Sequence, residues 1–333
     1  MMRSRLSSAA LSVGFTLLIV GFLASRVDWR RFLDVVASVR AGWIVVLVAS
    51  TVVDRVWMAG KWHYLLHNSG VPVRFGVTLR HYFLGGILGA AVQWQVAGDV
   101  ARAMGLGGTL DRRRDVIASV AVERFTGAAA SGLLATVGLL ALSAREGSAA
   151  FLSVGVVLSM FAAVLPVFVL RRRAYGVLSA LTRHLWTPLA TKISSATSYI
   201  TTQLPSTGVF VRFYSMTLGE QAVPMVNMFL LAKAFSIDVR ITDIIIIMPI
   251  IGFFSRLPIA VESIGLKEGL YMYLFGSVGI LPEEAIAASL CSRVIDALVL
   301  SGGCLATLVT RWLVGAPAEE PAGPSESSQA SRG

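Results

Sequence analysis

The chain has 333 residues, 55% of them hydrophobic and only 14% charged, with a formal net charge of +10 and a mean hydropathy of +0.73. Soluble domains carry roughly 25% charged residues and shorter apolar runs, so the composition excludes a soluble fold and predicts an all-α polytopic membrane protein. The basic residues sit in short clusters between apolar runs, as in cytoplasmic loops that meet anionic headgroups, and no nucleic acid is expected as a partner.

Arg3 and Arg5 precede an apolar run from Ala9 to Ala24, which reads as a retained first transmembrane helix. Val27 to Arg40 alternates Trp29, Phe32, Val35, Val36 and Val39 with Arg30, Arg31 and Asp34, the pattern of a helix lying in the interface. Ala41 to Leu66 is long enough to span, yet carries Asp54, Arg55 and Lys61 in its second half, with Trp57, Trp62 and Tyr64 as an aromatic belt. His63 and His67 stand at helical spacing without an acidic neighbour and predict no metal site. His81 to Ala97 is apolar but too short for a plain span and is interrupted by Gly85, Gly86 and Gly89, which predicts a re-entrant or broken helix.

The run Asp111-Arg-Arg-Arg-Asp115 marks a cytoplasmic loop, and Val116 to Leu142 spans with Glu123 and Arg124 inside it. After a turn at Ser143 to Ser148, Ala149 to Leu170 spans back to the Arg171, Arg172 and Arg173 cluster on the same face. Residues 174–205 read as an amphipathic cytoplasmic linker between two halves, 41–173 and 206–313. Gly208 to Phe235 spans, with Glu220, Pro224 and Asn227 on one stripe and the proline as a kink. Ile244 to Phe254 is the second short apolar run. Gly269 to Ile280 is short again, and Pro282-Glu283-Glu284 opens a last span, Ala285 to Leu313. The whole of 1–315 reads as one transmembrane domain with about 6–8 transmembrane helices, and 316–333 as a disordered tail. Cys291 and Cys304 lie on one helix about 20 Å apart and cannot pair.

Charges inside apolar sequence are costly and mark function. Asp99 precedes Arg124 by 25 residues, and Glu268 precedes Arg293 by the same 25. That echo predicts a structural repeat, and three crossings between the copies would make it an inverted one, the architecture of many secondary transporters. It also places the C-terminus in the cytoplasm.

At these residues the chain resembles the flippase-like family typified by the transmembrane region of lysylphosphatidylglycerol synthase. The first signature is similar to Gly98-Asp99-Val100-Ala101-Arg102-Ala103, followed by the pair Glu123-Arg124. The second is similar to Pro258 through Gly265-Leu266-Lys267-Glu268, followed by Arg293, Asp296 and Gly302-Gly303, and an earlier basic-Trp pair is matched by Lys61-Trp62. The chain departs from the pattern where Gln93-Trp94-Gln95 replaces a usual proline and where Glu262-Ser263 replaces paired glycines. The resemblance implies a lipid flippase in the cytoplasmic (inner) membrane, and the missing aminoacyl-transferase domain implies that the chain is no synthase by itself.

The expected substrate-binding residues are therefore Asp99, Arg102, Glu123, Arg124, Lys267, Glu268 and Arg293, with Asp54, Arg55, Lys61, Glu220 and Asp296 as secondary candidates. The arginines and Lys267 suit a phosphate, and the acids suit the arginines of the empty state, a headgroup amine or a proton. Intrahelical pairing, Asp99 with Arg102 and Arg293 with Asp296, is the bland alternative. Gly85, Gly86, Gly98, Pro258 and Gly265 are hinge candidates, with close helix packing as the alternative for Gly85 and Gly86. Membrane lipids with an anionic or amine-bearing headgroup are the expected partners, together with a second copy of the chain or a lipid-modifying enzyme. No cofactor is expected. The rival functions are an integral-membrane transferase on a lipid-linked donor, which no nucleophile or metal motif supports, and a non-catalytic partner of a lipid-modifying enzyme.

Overall fold

The computed structural model describes residues 27–92, 95–162, 206–256 and 265–314. The expected first helix, the arginine cluster at 171–173, the linker 174–205, Pro258, the Glu262-Ser263 departure and the tail 316–333 lie outside the described residues, as do 163–170 and 257–264, which complete two of the segments on which the handedness of the repeat depends. Every element among the described residues is a helix: α1 (Trp29–Ala37), α2 (Ala41–Asn68), α3 (Phe75–Val92), α4 (Gln95–Thr109), α5 (Arg113–Glu146), α6 (Ala149–Ala162), α7 (Thr207–Glu220), α8 (Ala222–Phe235), α9 (Ile241–Phe254), α10 (Leu266–Gly276) and α11 (Pro282–Val314). Three of them are long and apolar enough to cross a bilayer, within Ala41–Asn68, Arg113–Glu146 and Pro282–Thr310, and α9 is apolar but shorter.

Several boundaries differ from the hydropathy reading, each for a local reason. α3 begins at Phe75 rather than His81, because its polar first turns find partners. Thr78 meets His63 Nδ1 at 3.2 Å, and His81 Nδ1 lies 3.0 Å from the Val77 carbonyl one turn back. A helix ends at Val92 and the next begins at Gln95, so Asp99 and Arg102 lie in the first half of α4 rather than at the end of a broken helix. The expected span Gly208 to Phe235 is interrupted at Gln221, between α7 and α8. Pro224, which has no N–H and whose ring crowds the carbonyl of Glu220, accounts for a break at that point. α10 starts ahead of Gly269, at Leu266, because the carboxylate of Glu268 accepts the backbone N–H of Gly265 at 2.7 Å and caps the helix. Gly265 holds a φ of +82°, which an L side chain rarely adopts.

The chain forms two compact units. The first takes the described parts of Met1–Asp54, Ala128–Ala162 and Leu218–Val299, and the second those of Arg55–Gly127, Ala163–Thr217 and Leu300–Gly333. In the first unit, Leu47, Leu139, Met228, Ile247, Phe275 and Ala288 belong to one continuous apolar core. The interfacial helix α1 has no buried residue of its own. It lays Phe32 and Val35 on that core while Trp29 and Leu33 stay exposed. Its start is capped by Asp28, whose own N–H donates to Glu283 at 3.0 Å, and past its end the N–H of Arg40 donates to the Ala234 carbonyl at 2.9 Å.

The second unit is built on the α3–α4 hairpin, with Trp62, Leu66, Val71, Leu106 and Val116 in its core. The two hairpin helices touch at glycines. A methyl on Gly85 would stand 2.6 Å from the Gly98 carbonyl oxygen and 2.8 Å from Arg102 Cβ, so both hinge candidates sit in the helix contact. Gly86 faces Leu300 in the same unit.

Element order repeats along the chain. A short helix (α4, α10) is followed by a long one (α5, α11), and the long ones start at Arg113 and Pro282, a step of 169 residues. The same step carries Asp99 onto Glu268 and Arg124 onto Arg293.

Gly85→Val is expected to lower the unfolding midpoint in detergent, at an overpacking cost of about 1–3 kcal/mol. Gly60→Ala, with nothing within 4 Å of the added methyl, leaves or raises it. Circular dichroism melts of the two variants check the contact, and equal midpoints would refute it.

Candidate functional site

The second unit gathers five of the expected residues into one ionic cluster, buried except for Arg124 at its edge. Arg102 lies seven residues into α4 with its guanidinium turned inward, where only 6% of the residue is exposed. Its Nε donates to Asp99 Oδ1 at 3.1 Å, and its Nη2 stands 2.9 Å from the same oxygen and donates to Glu123 Oε2 at 2.8 Å. The other oxygen of Glu123 lies 3.9 Å from Lys61 Nζ, and Lys61 is itself only 1% exposed. The other oxygen of Asp99 accepts from Arg124 Nε. Each carboxylate thus bridges two cations, a closed arrangement in which no anion is left alone in an apolar interior.

The bland pairing of Asp99 with Arg102 exists, but as one edge of this larger cluster. Helix geometry explains the convergence. Asp99 and Arg102 are one turn apart on α4, Glu123 and Arg124 are adjacent on α5, and Lys61 is on α2. No single helix brings these charges together.

Aromatic rings line the guanidinium. Arg102 Cζ lies 4.7 Å from the Trp62 ring centroid and 5.3 Å from that of Tyr82, and Lys61 Nζ lies 5.8 Å from the Phe213 ring. Trp62 is therefore not part of an interfacial belt. It is fully buried and its indole N–H donates to Ser119 Oγ at 3.0 Å. Sequence reasoning missed Tyr82 and Phe213 as partners of the cluster, since nothing in an apolar run distinguishes an aromatic that faces a charge from one that faces lipid. Arg102 Nη1 is buried without a hydrogen-bond partner among the described residues.

The first unit holds the repeat of this pairing in a tighter form. Glu268 Oε1 accepts from Arg293 Nε at 2.8 Å and from Ser289 Oγ at 3.2 Å, while Oε2 takes the Gly265 N–H. Arg293 is turned to Glu268, 25 residues away, as Arg124 is turned to Asp99. Lys267 precedes Glu268 at the start of α10. Its Nζ lies 5.7 Å from the ring of Tyr271 one turn on.

Among the secondary candidates, Glu220 Oε1 stands 3.7 Å from Arg256, which also reaches Gln221 at 3.5 Å across the α7–α8 break. Arg55 Nη1 lies 3.6 Å from Met58 Sδ. Asp54 is buried on α2, and Asp296 lies on α11 one turn beyond Arg293. Two polar contacts of the first unit had no counterpart in the sequence reading: the ion pair of Arg145 with Asp243, and Asn227 bonded to Ser50 at 2.7 Å.

Long apolar helices, exposed aliphatic side chains such as Val45, Val53 and Leu298, and buried charges held in ion pairs such as Arg102–Glu123 define a multi-pass helical membrane protein. A family model for the lysylphosphatidylglycerol synthase transmembrane region matches residues 9–302, and the chain belongs to that family. No curated protein matches it. The family ties the chain to membrane lipid metabolism.

Glu123→Ala removes a carboxylate shared by two buried cations, Arg102 and Lys61, and is expected to destabilise the fold by about 3–5 kcal/mol. In the first unit, a double-mutant cycle of Glu268→Ala and Arg293→Ala is expected to show the double variant losing less than the two singles together. Chemical unfolding in detergent measures both. Strict additivity would mean that the Glu268–Arg293 pair does not couple.

Proposed function

We propose that the chain moves a lipid with a charged headgroup across the cytoplasmic membrane, a flippase-like transporter rather than an enzyme. The observation that carries this reading is the cluster of buried Lys61, Asp99, Arg102 and Glu123 with the half-exposed Arg124 at its edge. A structural role needs only one ion pair at low cost. Four ionic groups taken out of water cost far more, and replacing such groups with packed apolar residues commonly stabilises a fold. Their retention fits a polar path for a headgroup whose acyl chains stay in lipid.

The chemistry of the cluster supports the same reading over a transferase. Both carboxylates are held by cations, which suits electrostatic binding and leaves neither poised as a general base. Binding of headgroups is the work that arginine forks and aromatic faces do well.

Reconstitution into vesicles that carry a fluorescent phospholipid in one leaflet tests the proposal. The protein is expected to expose the label to dithionite, and Arg124→Ala, whose side chain is 45% exposed and whose loss spares the buried pairs, is expected to slow this at least about tenfold. A folded protein that moves no lipid but turns over a labelled lipid-linked donor would establish the transferase instead.

A further inference from the structure

The two repeated acid–arginine pairs are not equivalent in what their carboxylates can give up. Glu268 is anchored by three donors, one of them the backbone N–H that starts its own helix, so it cannot leave without uncapping α10. Asp99 has no such tie among the described residues. Its two oxygens are divided between two guanidinium groups on different helices, Oδ1 facing Arg102 and Oδ2 facing Arg124.

That division matches the way two arginines hold a phosphodiester, one non-bridging oxygen each. Asp99 is 12% exposed at the boundary between the buried Arg102 and the half-exposed Arg124. The internal carboxylate also leaves a donor unused, because Arg102 Nη1 is buried with no partner among the described residues. A buried guanidinium N–H without an acceptor is costly to keep. A tetrahedral phosphate presents oxygens in more directions than a planar carboxylate and could engage that third donor. Trp62 and Tyr82 lie within cation–π range of the Arg102 guanidinium, and Glu123 holds it from another side, so it is fixed in place before any ligand arrives.

We propose that Arg102 and Arg124 form a phosphate-binding site that Asp99 occupies as an internal stand-in, and that a lipid phosphate opens it by exchanging with the Asp99 carboxylate. This rests on the headgroup-transport reading for its ligand and assigns the phosphate, rather than an amine, as the group recognised. The incoming anion meets Arg124 first, displaces Asp99 Oδ2, and then replaces Oδ1 on Arg102. No covalent bond changes, and Asp99 remains an anion that turns toward the exposed side. The Glu268–Arg293 pair of the first unit serves as a helix cap and does not exchange.

The test uses the full chain in an uncharged detergent with three probes: dihexanoylphosphatidylglycerol, inorganic phosphate and phosphate-free dihexanoylglycerol, followed by calorimetry. The wild type is expected to bind the phospholipid and not the diglyceride. Asp99→Asn, which removes the competing charge, is expected to bind it at least about tenfold more tightly, and Arg102→Lys at least about tenfold more weakly. Competition by inorganic phosphate shows that the site reads the phosphate alone. Failure of phosphate to compete while the phospholipid binds shows that it reads the lipid-borne group, and either result supports the exchange. Equal binding of diglyceride and phospholipid, or an Asp99→Asn affinity equal to or below the wild type, overturns it. Neither of those comparisons depends on Arg102→Lys folding. Tighter binding by Asp99→Asn with no lipid movement in vesicles would leave the site standing and remove transport. Lipid movement without phosphate preference would do the reverse.

Discussion

A charge inside an apolar helix bundle survives only if its opposite is within a few ångströms, and the second unit is arranged around meeting that condition. Arg102 cannot lose its charge, because a guanidinium stays protonated throughout the accessible pH range. Its surroundings must therefore supply carboxylates, and they do so from its own helix with Asp99 and from α5 with Glu123. Glu123 in turn holds Lys61 of α2. Three helices are thereby committed to one register, since sliding any of them by a residue would turn its charge out of reach.

The glycines serve the same requirement. Gly85 and Gly98 let the two arms of the α3–α4 hairpin approach until backbone meets backbone, and Gly85 lies against Arg102 Cβ at the level of the cluster. With side chains there, the arms would separate and water or lipid would enter beside Arg102. Close packing and charge neutralisation are thus one constraint in this unit. In the first unit they are divided: an extensive aliphatic core supplies the packing, and Glu268 combines an ion pair with a helix cap.

Membership of the lysylphosphatidylglycerol synthase transmembrane-region family places this arrangement in lipid metabolism. The chemistry of the second unit narrows the work it is suited to. Arginines locked against acids, with rings of Trp62 and Tyr82 beside them, suit the proposed reversible binding of an anion better than covalent chemistry. Asp99, held only by guanidinium groups among the described residues, and Glu268, tied also to a backbone N–H and a serine, differ in how firmly they are anchored, which fits the separate tasks proposed for the two copies.

Composition and apolar run length were enough to establish an all-helical membrane protein, because the need to satisfy every backbone group in lipid permits little else. The recurrence of an acid and an arginine 25 residues apart likewise pointed to Asp99 with Arg124 and Glu268 with Arg293, since an equal spacing reflects an equal short-helix, turn and long-helix unit. Helix starts were less legible. Phe75 and Leu266 open their helices with polar partners that hydropathy does not count, and the break at Gln221 follows from a proline three residues on. What only the tertiary structure decided is which groups meet across helices: Lys61 with Glu123, Trp62 and Tyr82 with Arg102, Arg145 with Asp243. These contacts depend on the rotation and depth of one helix against another, and a one-dimensional pattern carries the spacing along a helix but not its angle to a neighbour.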